Sequence, residues 1–174
     1  LRLNLTATVS PHGQWTASPT ENSCARFFGM FDSTLAGWCG VPPGSCTFAE
    51  TCGNNLAVEH NGDVYVCDHY VYPRYRLGNV RDTSLRDLAA SSQALQFGID
   101  KRNTLPRECR RCEFLNICHG GCPQHRLSRA SNGEAGKNSL CEGLKMFWRH
   151  SAPAMQKMRE LLAQNRAPAE ITGL

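Results

Sequence analysis

Cys109-Arg110-Arg111-Cys112-Glu113-Phe114-Leu115-Asn116-Ile117-Cys118-His119-Gly120-Gly121-Cys122 is the stretch that decides how this chain folds. Its four thiols are spaced Cys-x2-Cys-x5-Cys-x3-Cys, Cys141 follows downstream, and Cys46, Cys52 and Cys67 stand upstream. As thiolates, eight such groups would crowd negative charge unless cations neutralised them, and a thiolate-only ligand set is that of zinc or of iron-sulfur clusters. Arg107, Arg110 and Arg111 flank Cys109 and Cys112, where cations lower the thiol pKa and offset thiolate charge.

Working outward, 174 residues with 41% hydrophobic content would fit one domain and can bury a core without covalent staples. A secreted disulfide protein is the competing reading, because ten cysteines is an even number and Asn4-Leu5-Thr6 is a formal glycosylation acceptor. Against it, residues 1–10 lack the continuous apolar region of a signal peptide, and close Cys-x2-Cys pairs rarely bridge each other. No run approaches the roughly 18 apolar residues of a membrane span, so a reducing, cytoplasmic setting without membrane contact is expected. The formal charge of +4 does not indicate nucleic acid: aromatic residues do not interleave with the basic ones as a stacking platform requires.

Residues 1–23 read as a poorly packed lead-in. Residues 25–31 read as a strand, and Asp32-Ser33-Thr34 as the cap of a short helix through Leu35, Ala36 and Trp38 that Pro42-Pro43-Gly44 stops. The clearest local structure is a hairpin, Leu56 to His60 against Asp63 to Cys67, around a two-residue Asn61-Gly62 turn. That turn pairs His60 with Asp63, Val58 with Tyr65 and Leu56 with Cys67, and it folds Cys52 back towards Cys67. A strand continued through Cys67 and Asp68 would send the two to opposite faces. Past a loop from Asp68 to Arg81, Ser84-Leu85-Arg86-Asp87 matches an acidic capping box. It opens a helix with Leu85, Leu88 and Leu95 on one side that runs to Gly98. Gly120-Gly121 supplies tight backbone in the cysteine run. An amphipathic helix from about Leu140 to Gln164 turns Leu144, Phe147, Trp148, Met155, Met158 and Leu162 inward, with Pro153 kinking or dividing it. Cys24, Cys39, Tyr65 and Trp38 read as core.

The words around these cysteines carry a resemblance. They are Pro42-Pro43-Gly44-Ser45-Cys46, Glu50-Thr51-Cys52-Gly53, Gly62-Asp63-Val64-Tyr65-Val66-Cys67-Asp68-His69, Leu77-Gly78-Asn79-Val80, Cys118-His119-Gly120-Gly121-Cys122-Pro123 and Cys141-Glu142-Gly143-Leu144-Lys145. Together they resemble the SPASM domain, the auxiliary-cluster module of certain radical S-adenosylmethionine enzymes, and within that group the anaerobic sulfatase-maturating enzymes. The resemblance implies an α+β, irregular, metal-organised domain with a hairpin, cysteine-rich loops and flanking helices, and no complete radical S-adenosylmethionine barrel. It implies two 4Fe-4S clusters, the first on Cys46, Cys52, Cys67 and Cys122, the second on Cys109, Cys112, Cys118 and Cys141. Asp68 matches the family's catalytic base, Glu50 and Glu142 are read as hydrogen-bonding residues near the ligands, and His69 and His119 as packed or hydrogen-bonded to backbone rather than ligating. The implied substrate is a sulfatase polypeptide whose active-site cysteine or serine is oxidised to formylglycine, with a ferredoxin or flavodoxin as electron acceptor.

A radical S-adenosylmethionine core needs Cys-x3-Cys-x2-Cys, and the one candidate start, Cys118-x3-Cys122, has His125 at its third position. S-adenosylmethionine and a third 4Fe-4S cluster are therefore expected only in a longer enzyme, of which this chain is a C-terminal piece inactive by itself. Residues 1–40 would be lead-in and the last strand or helix of the missing barrel, 41–150 the auxiliary-cluster domain, and 151–174 a C-terminal helix and tail. A structural zinc-binding or peptide-docking module uses the same thiols and is the alternative from another class.

Overall fold

The computed structural model describes residues 7–9, 15–17, 29–53 and 55–173. In chain order the elements are β1 (Ala7–Val9), β2 (Trp15–Ala17), α1 (Gly29–Cys39), β3 (Ala57–Val58), β4 (Asp63–Tyr65), β5 (Arg76–Asn79), α2 (Leu85–Ala89) and α3 (Ser92–Asn103). Then follow α4 (Arg107–Arg110), α5 (Leu115–Cys118), β6 (Ser128–Arg129), β7 (Ala135–Lys137) and α6 (Cys141–Ala163), with short 3-10 turns between elements. This is the expected mixture of helices and small sheets, without a closed barrel among the described residues. No helix among them is long and apolar enough to cross a membrane.

Contacts divide the chain into a helical unit (Leu1–Phe48, Glu113–Cys118, Leu140–Leu174) and a sheet unit (Ala49–Cys112, His119–Ser139). The helical unit packs α1, α5 and α6 around Trp148, which is 1% exposed. The Trp148 indole N–H donates to Thr34 Oγ1 at 3.2 Å, and Thr34 Oγ1 donates to the Met30 carbonyl one turn back. Phe48 and Phe114 meet the indole with ring centroids 5.9 and 5.6 Å away, and Leu35, Ala36, Met155 and Leu161 complete the buried set. The side chain that faces inward at the end of α6 is thus Leu161, with Leu162 only half-buried.

Several local expectations are corrected here. Gly29 to Phe31 is helix, not strand, and Asp32 lies in the first turn of α1 rather than before it; Cys24 and residues 25–28 lie outside the described residues. α1 ends before Pro42, because Gly40 N–H donates to Gly37 O and Val41 N–H to Ala36 O, a paired closure that satisfies the last carbonyls. Within the lead-in, β1 pairs antiparallel with β2. Pro153 does not divide α6, which runs unbroken for 23 residues with that proline on its exposed side.

In the sheet unit β3, β4 and β5 form one antiparallel sheet. The hairpin exists but is slipped by one residue: Ala57 pairs with Tyr65 and Val58 with Val64. A two-residue turn of the expected kind needs positive φ at both central positions, whereas here only Gly62 has it, at 89°. The loop is the three residues His60 to Gly62, closed by Gly62 N–H to Glu59 O and Glu59 N–H to Asp63 O. Asn61 Oδ1 accepts from Asp63 N–H, and Asn79 on β5 donates to Asn61 O and to Asp63. β5 itself occupies part of what reads from sequence as loop. The capping box is present, with Ser84 Oγ accepting from Asp87 N–H. The helix it opens stops at Ala89, and Ser91 caps α3 separately. Leu85 and Leu95 are therefore exposed while Leu88 is buried.

Candidate metal centre

Each expected ligand is best located within its own unit. In the sheet unit, α3 continues through Gly98, which is no stop signal: its carbonyl accepts from Cys52 N–H at 3.1 Å, and a Cβ on Gly98 would stand 2.7 Å from Cys52 O. Only glycine lets the helix approach this closely. The sheet carries the chain back to Cys67, and the left-handed run His119 (φ 44°), Gly120 (75°) and Gly121 (64°) delivers Cys122. Arg126 fixes that run by donating to the carbonyls of His119, Gly120 and Gly121, and to Lys101 O at 2.7 Å. Asn138, buried, adds a bond to Gly120 O.

These routes converge. Tyr70 is 9% exposed, stacked edge-on against Tyr75 and Phe97. Its phenol is pushed up to about 12, first by burial and then by the negative charge of Cys122, Tyr75, Cys52 and Cys67. Three of the four thiols expected on the first cluster thus lie near enough to act electrostatically on Tyr70, and Cys52 acts on Cys67 in the same way, as expected if the chain brings it back towards that residue. Burial, ahead of the neighbouring Asp68 and Cys52, pushes the Cys67 thiol up to about 11. A thiol raised in this way holds its proton without a cation, and a metal bound at Cys67 would displace it.

Cys67 and Asp68 are not on opposite faces. β4 ends at Tyr65, and Asp68–Tyr70 forms a 3-10 turn closed by Tyr70 N–H to Cys67 O. The turn swings the carboxylate onto the thiol, so Cys67 Sγ donates to Asp68 Oδ1 at 3.1 Å and His69 N–H donates to the same oxygen at 3.0 Å. The Cys67 hydrogen bond is the chief reason the Asp68 carboxyl lies below its ordinary range, and the side chain stays exposed. Cys67 Sγ, an Asp68 oxygen and a His69 ring nitrogen lie within 4.8 Å of one another. His69 Nδ1 also stands 3.5 Å from Cys122 Sγ, a contact sequence reasoning missed.

Of the second expected set, Cys109 lies on α4 and Cys112 just after it, with Cys112 N–H donating to Cys109 O at 3.1 Å. Arg110 and Arg111 beside them are exposed. In the helical unit, Cys118 ends α5, Cys141 begins α6, and Cys46 opens the 3-10 turn Cys46–Phe48. All nine cysteines of the described residues are thiols. Cys39, at the end of α1, is raised by burial and lies apart from these runs. Glu50 pairs with Arg102 at 3.5 Å and Glu142 with Lys145 at 3.8 Å, both on exposed carboxylates. The donor chemistry fits iron-sulfur ligation: Cys52, Cys67 and Cys122 are thiols carried on backbone already fixed by hydrogen bonds.

Comparison with known proteins agrees with that chemistry. Residues 46–113 match the SPASM family, described as an iron-sulfur cluster-binding domain. The chain is related to anaerobic sulfatase-maturating enzymes. It is 46% identical over 145 residues to the serine-type enzyme of Bacteroides thetaiotaomicron, covering 83% of this chain and 35% of that one. It is 30% identical over 133 residues to the cysteine-type enzyme of Clostridium perfringens, covering 76% and 34%. A solved structure of polyhistidine-tagged anSMEcpe with bound AdoMet superposes with a TM-score of 0.64 at 30% identity, over 75% of this chain and 34% of that one. Another is described as native anSMEcpe with AdoMet and the Kp18Cys peptide, with a TM-score of 0.63 at 27% identity over 75% and 35% of the two chains. The chain thus spans about a third of the length of the relatives it matches.

Proposed function

We propose that this chain is the auxiliary-cluster portion of a longer cytoplasmic radical S-adenosylmethionine maturase that oxidises an active-site cysteine or serine of a sulfatase to formylglycine. Residues 41–150 are its cluster-binding domain. One 4Fe-4S cluster is held by Cys46, Cys52, Cys67 and Cys122, the other by Cys109, Cys112, Cys118 and Cys141. The observation that carries the reading is the contact of Asp68 with Cys67, which puts a carboxylate directly against a ligand sulfur.

When bound, the clusters would supply a one-electron acceptor with no open iron needed for substrate, and a ferredoxin or flavodoxin would be the onward acceptor. Oxidation of the substrate side chain removes one hydrogen atom from Cβ, one proton from sulfur or oxygen, and one electron; with serine this gives the aldehyde directly, and with cysteine a thioaldehyde that water hydrolyses to formylglycine with release of hydrogen sulfide. In the longer enzyme the hydrogen atom would leave to its radical and the electron to the group these thiols hold, and Asp68 would take the proton. Both hydrogen bonds to Asp68 fall on Oδ1, so the carboxylate is oriented by its own turn. Loading Cys67 as a thiolate removes the S–H donor, which leaves Asp68 more basic and ready to accept the substrate proton. The 3-10 turn Asp68–Tyr70, which lays the Asp68 carboxylate on the Cys67 thiol, supports a proton acceptor adjoining the proposed cluster ligand.

Anaerobic reconstitution of the full-length enzyme tests the ligand assignment, with about eight irons expected from this chain's two clusters; stoichiometric zinc and no iron would overturn it. Asp68→Asn should keep the iron and the cleavage of S-adenosylmethionine while lowering formylglycine formation by about 100-fold or more on cysteine or serine peptides. Unchanged maturation by that variant would return Asp68 to a turn-capping role.

A further inference from the structure

The packing of His69 against Cys122 carries a consequence for redox tuning. We propose that His69 is a positioning residue whose Nδ1–H donates to the Cys122 sulfur and thereby raises the reduction potential of the cluster that Cys122 ligates; this rests on the ligand assignment proposed above. The contact is 3.5 Å long, within reach of a hydrogen bond to sulfur. Its polarity follows from chemistry. A sulfur bound to iron has no proton to give, so the ring nitrogen facing it must be the donor, which selects the Nδ1–H tautomer.

Both partners are held independently of the contact. His69 sits in the 3-10 turn Asp68–Tyr70, with its own N–H on Asp68 Oδ1 at 3.0 Å and the turn closed onto Cys67 O. Cys122 is pinned from the other side by His125 N–H donating to its carbonyl at 2.9 Å, and by the Arg126 bonds to the residues just before it. Two segments 53 residues apart in sequence thus present a donor and a sulfur at fixed separation. Reduction adds negative charge that spreads onto the ligand sulfurs. A donor aimed at one of them stabilises the reduced form more than the oxidised form.

The test compares wild type, His69→Leu and His69→Asn in the anaerobically reconstituted full-length enzyme, by iron and sulfide analysis and by redox titration followed by EPR. Asparagine places its Nδ2 donor close to where the ring Nδ1 stands, whereas leucine keeps bulk without a donor. Iron content should be equal in all three. In His69→Leu one couple should move to more negative potential by about tenfold in the reduction equilibrium, about 59 mV for one electron, while the other couples stay in place. His69→Asn should recover most of that shift. Unmoved couples in His69→Leu, or equal shifts in both variants, would overturn the inference. So would loss of about four irons from both, which would make His69 an iron ligand. If His69→Leu alone fails to load, His69→Gln, whose donor reaches the Nε2 position instead, should show the same negative shift, and an unmoved couple there counts against the proposal. A wild-type enzyme that takes up no iron would defeat the ligand assignment itself, an outcome distinct from iron-loaded variants whose couples do not move.

Discussion

Trp148 and Arg126 hold equivalent places in the two units, each being the side chain on which its surroundings converge. Trp148 is almost wholly buried against the rings of Phe48 and Phe114 and spends its one polar atom on Thr34. Arg126 spreads its guanidinium over the carbonyls of Lys101, His119, Gly120 and Gly121. The helical unit rests on apolar burial, which is non-directional and tolerates small displacements. The sheet unit rests on directed polar bonds, which fix backbone to a few tenths of an ångström. The directed bonds are concentrated at the backbone of Cys52, Cys67 and Cys122, the thiols proposed as ligands in that unit.

The strongest way to break this contrast is Trp148→Ala, expected to cost about 3–5 kcal/mol through lost burial and the cavity left among α1, α5 and α6. Denaturant unfolding checks it; a loss below about 1 kcal/mol would mean that the rings do not carry the helical unit. Next comes Arg126→Ala, expected to cost about 2–3 kcal/mol because several carbonyls lose a charged donor. Arg126→Lys should recover less than half, since a point charge cannot reproduce the planar fork. Full recovery by lysine would show that charge, not direction, is what matters in the sheet unit.

The smallest effect sharpens the contrast through pH. Arg76 and Asn79, by hydrogen bonding, hold Asp63 at about 2 instead of 3.8. A carboxyl lowered in the folded state adds stability that is fully present above 3.8 and is lost as pH falls through about 2. Acidification across that window should therefore loosen β3, β4 and β5 before α1 and α6, as hydrogen exchange by segment would show. Asp63→Asn should flatten this acid dependence. An unchanged profile in that variant would assign the acid sensitivity elsewhere.

Much of this was legible in the sequence, and the misses share a cause. Cysteine spacing gave the iron-sulfur domain class, and the Asn61-Gly62 pair gave the hairpin, because both are local patterns. The hairpin slipped by one residue because Asn79, 18 positions away, bonds Asn61 O and helps select the three-residue loop. Gly98 read as a helix end because a glycine in a helix is locally a breaker, whereas its actual constraint is the backbone of Cys52. Ser91, the second cap, has no acidic residue three positions on to mark it, so two helices read as one. Asp68 was found by its neighbours in sequence, but the turn that lays it on Cys67 and sends His69 to Cys122 follows from the early end of β4. Spacing names the participants; long-range hydrogen bonds decide how they face.

The backbone bonds at the thiols have one more consequence. Cys52 N–H is committed to Gly98 O, Cys67 O to Tyr70 N–H, Cys122 O to His125 N–H and Cys109 O to Cys112 N–H. Electron transfer is slowed by whatever nuclei must shift when charge arrives, and ligands on a pre-tied backbone have little room to shift. If these thiols hold the proposed cluster, such a frame would lower its reorganisation energy, so a single electron would pass through it quickly in either direction with only a modest driving force.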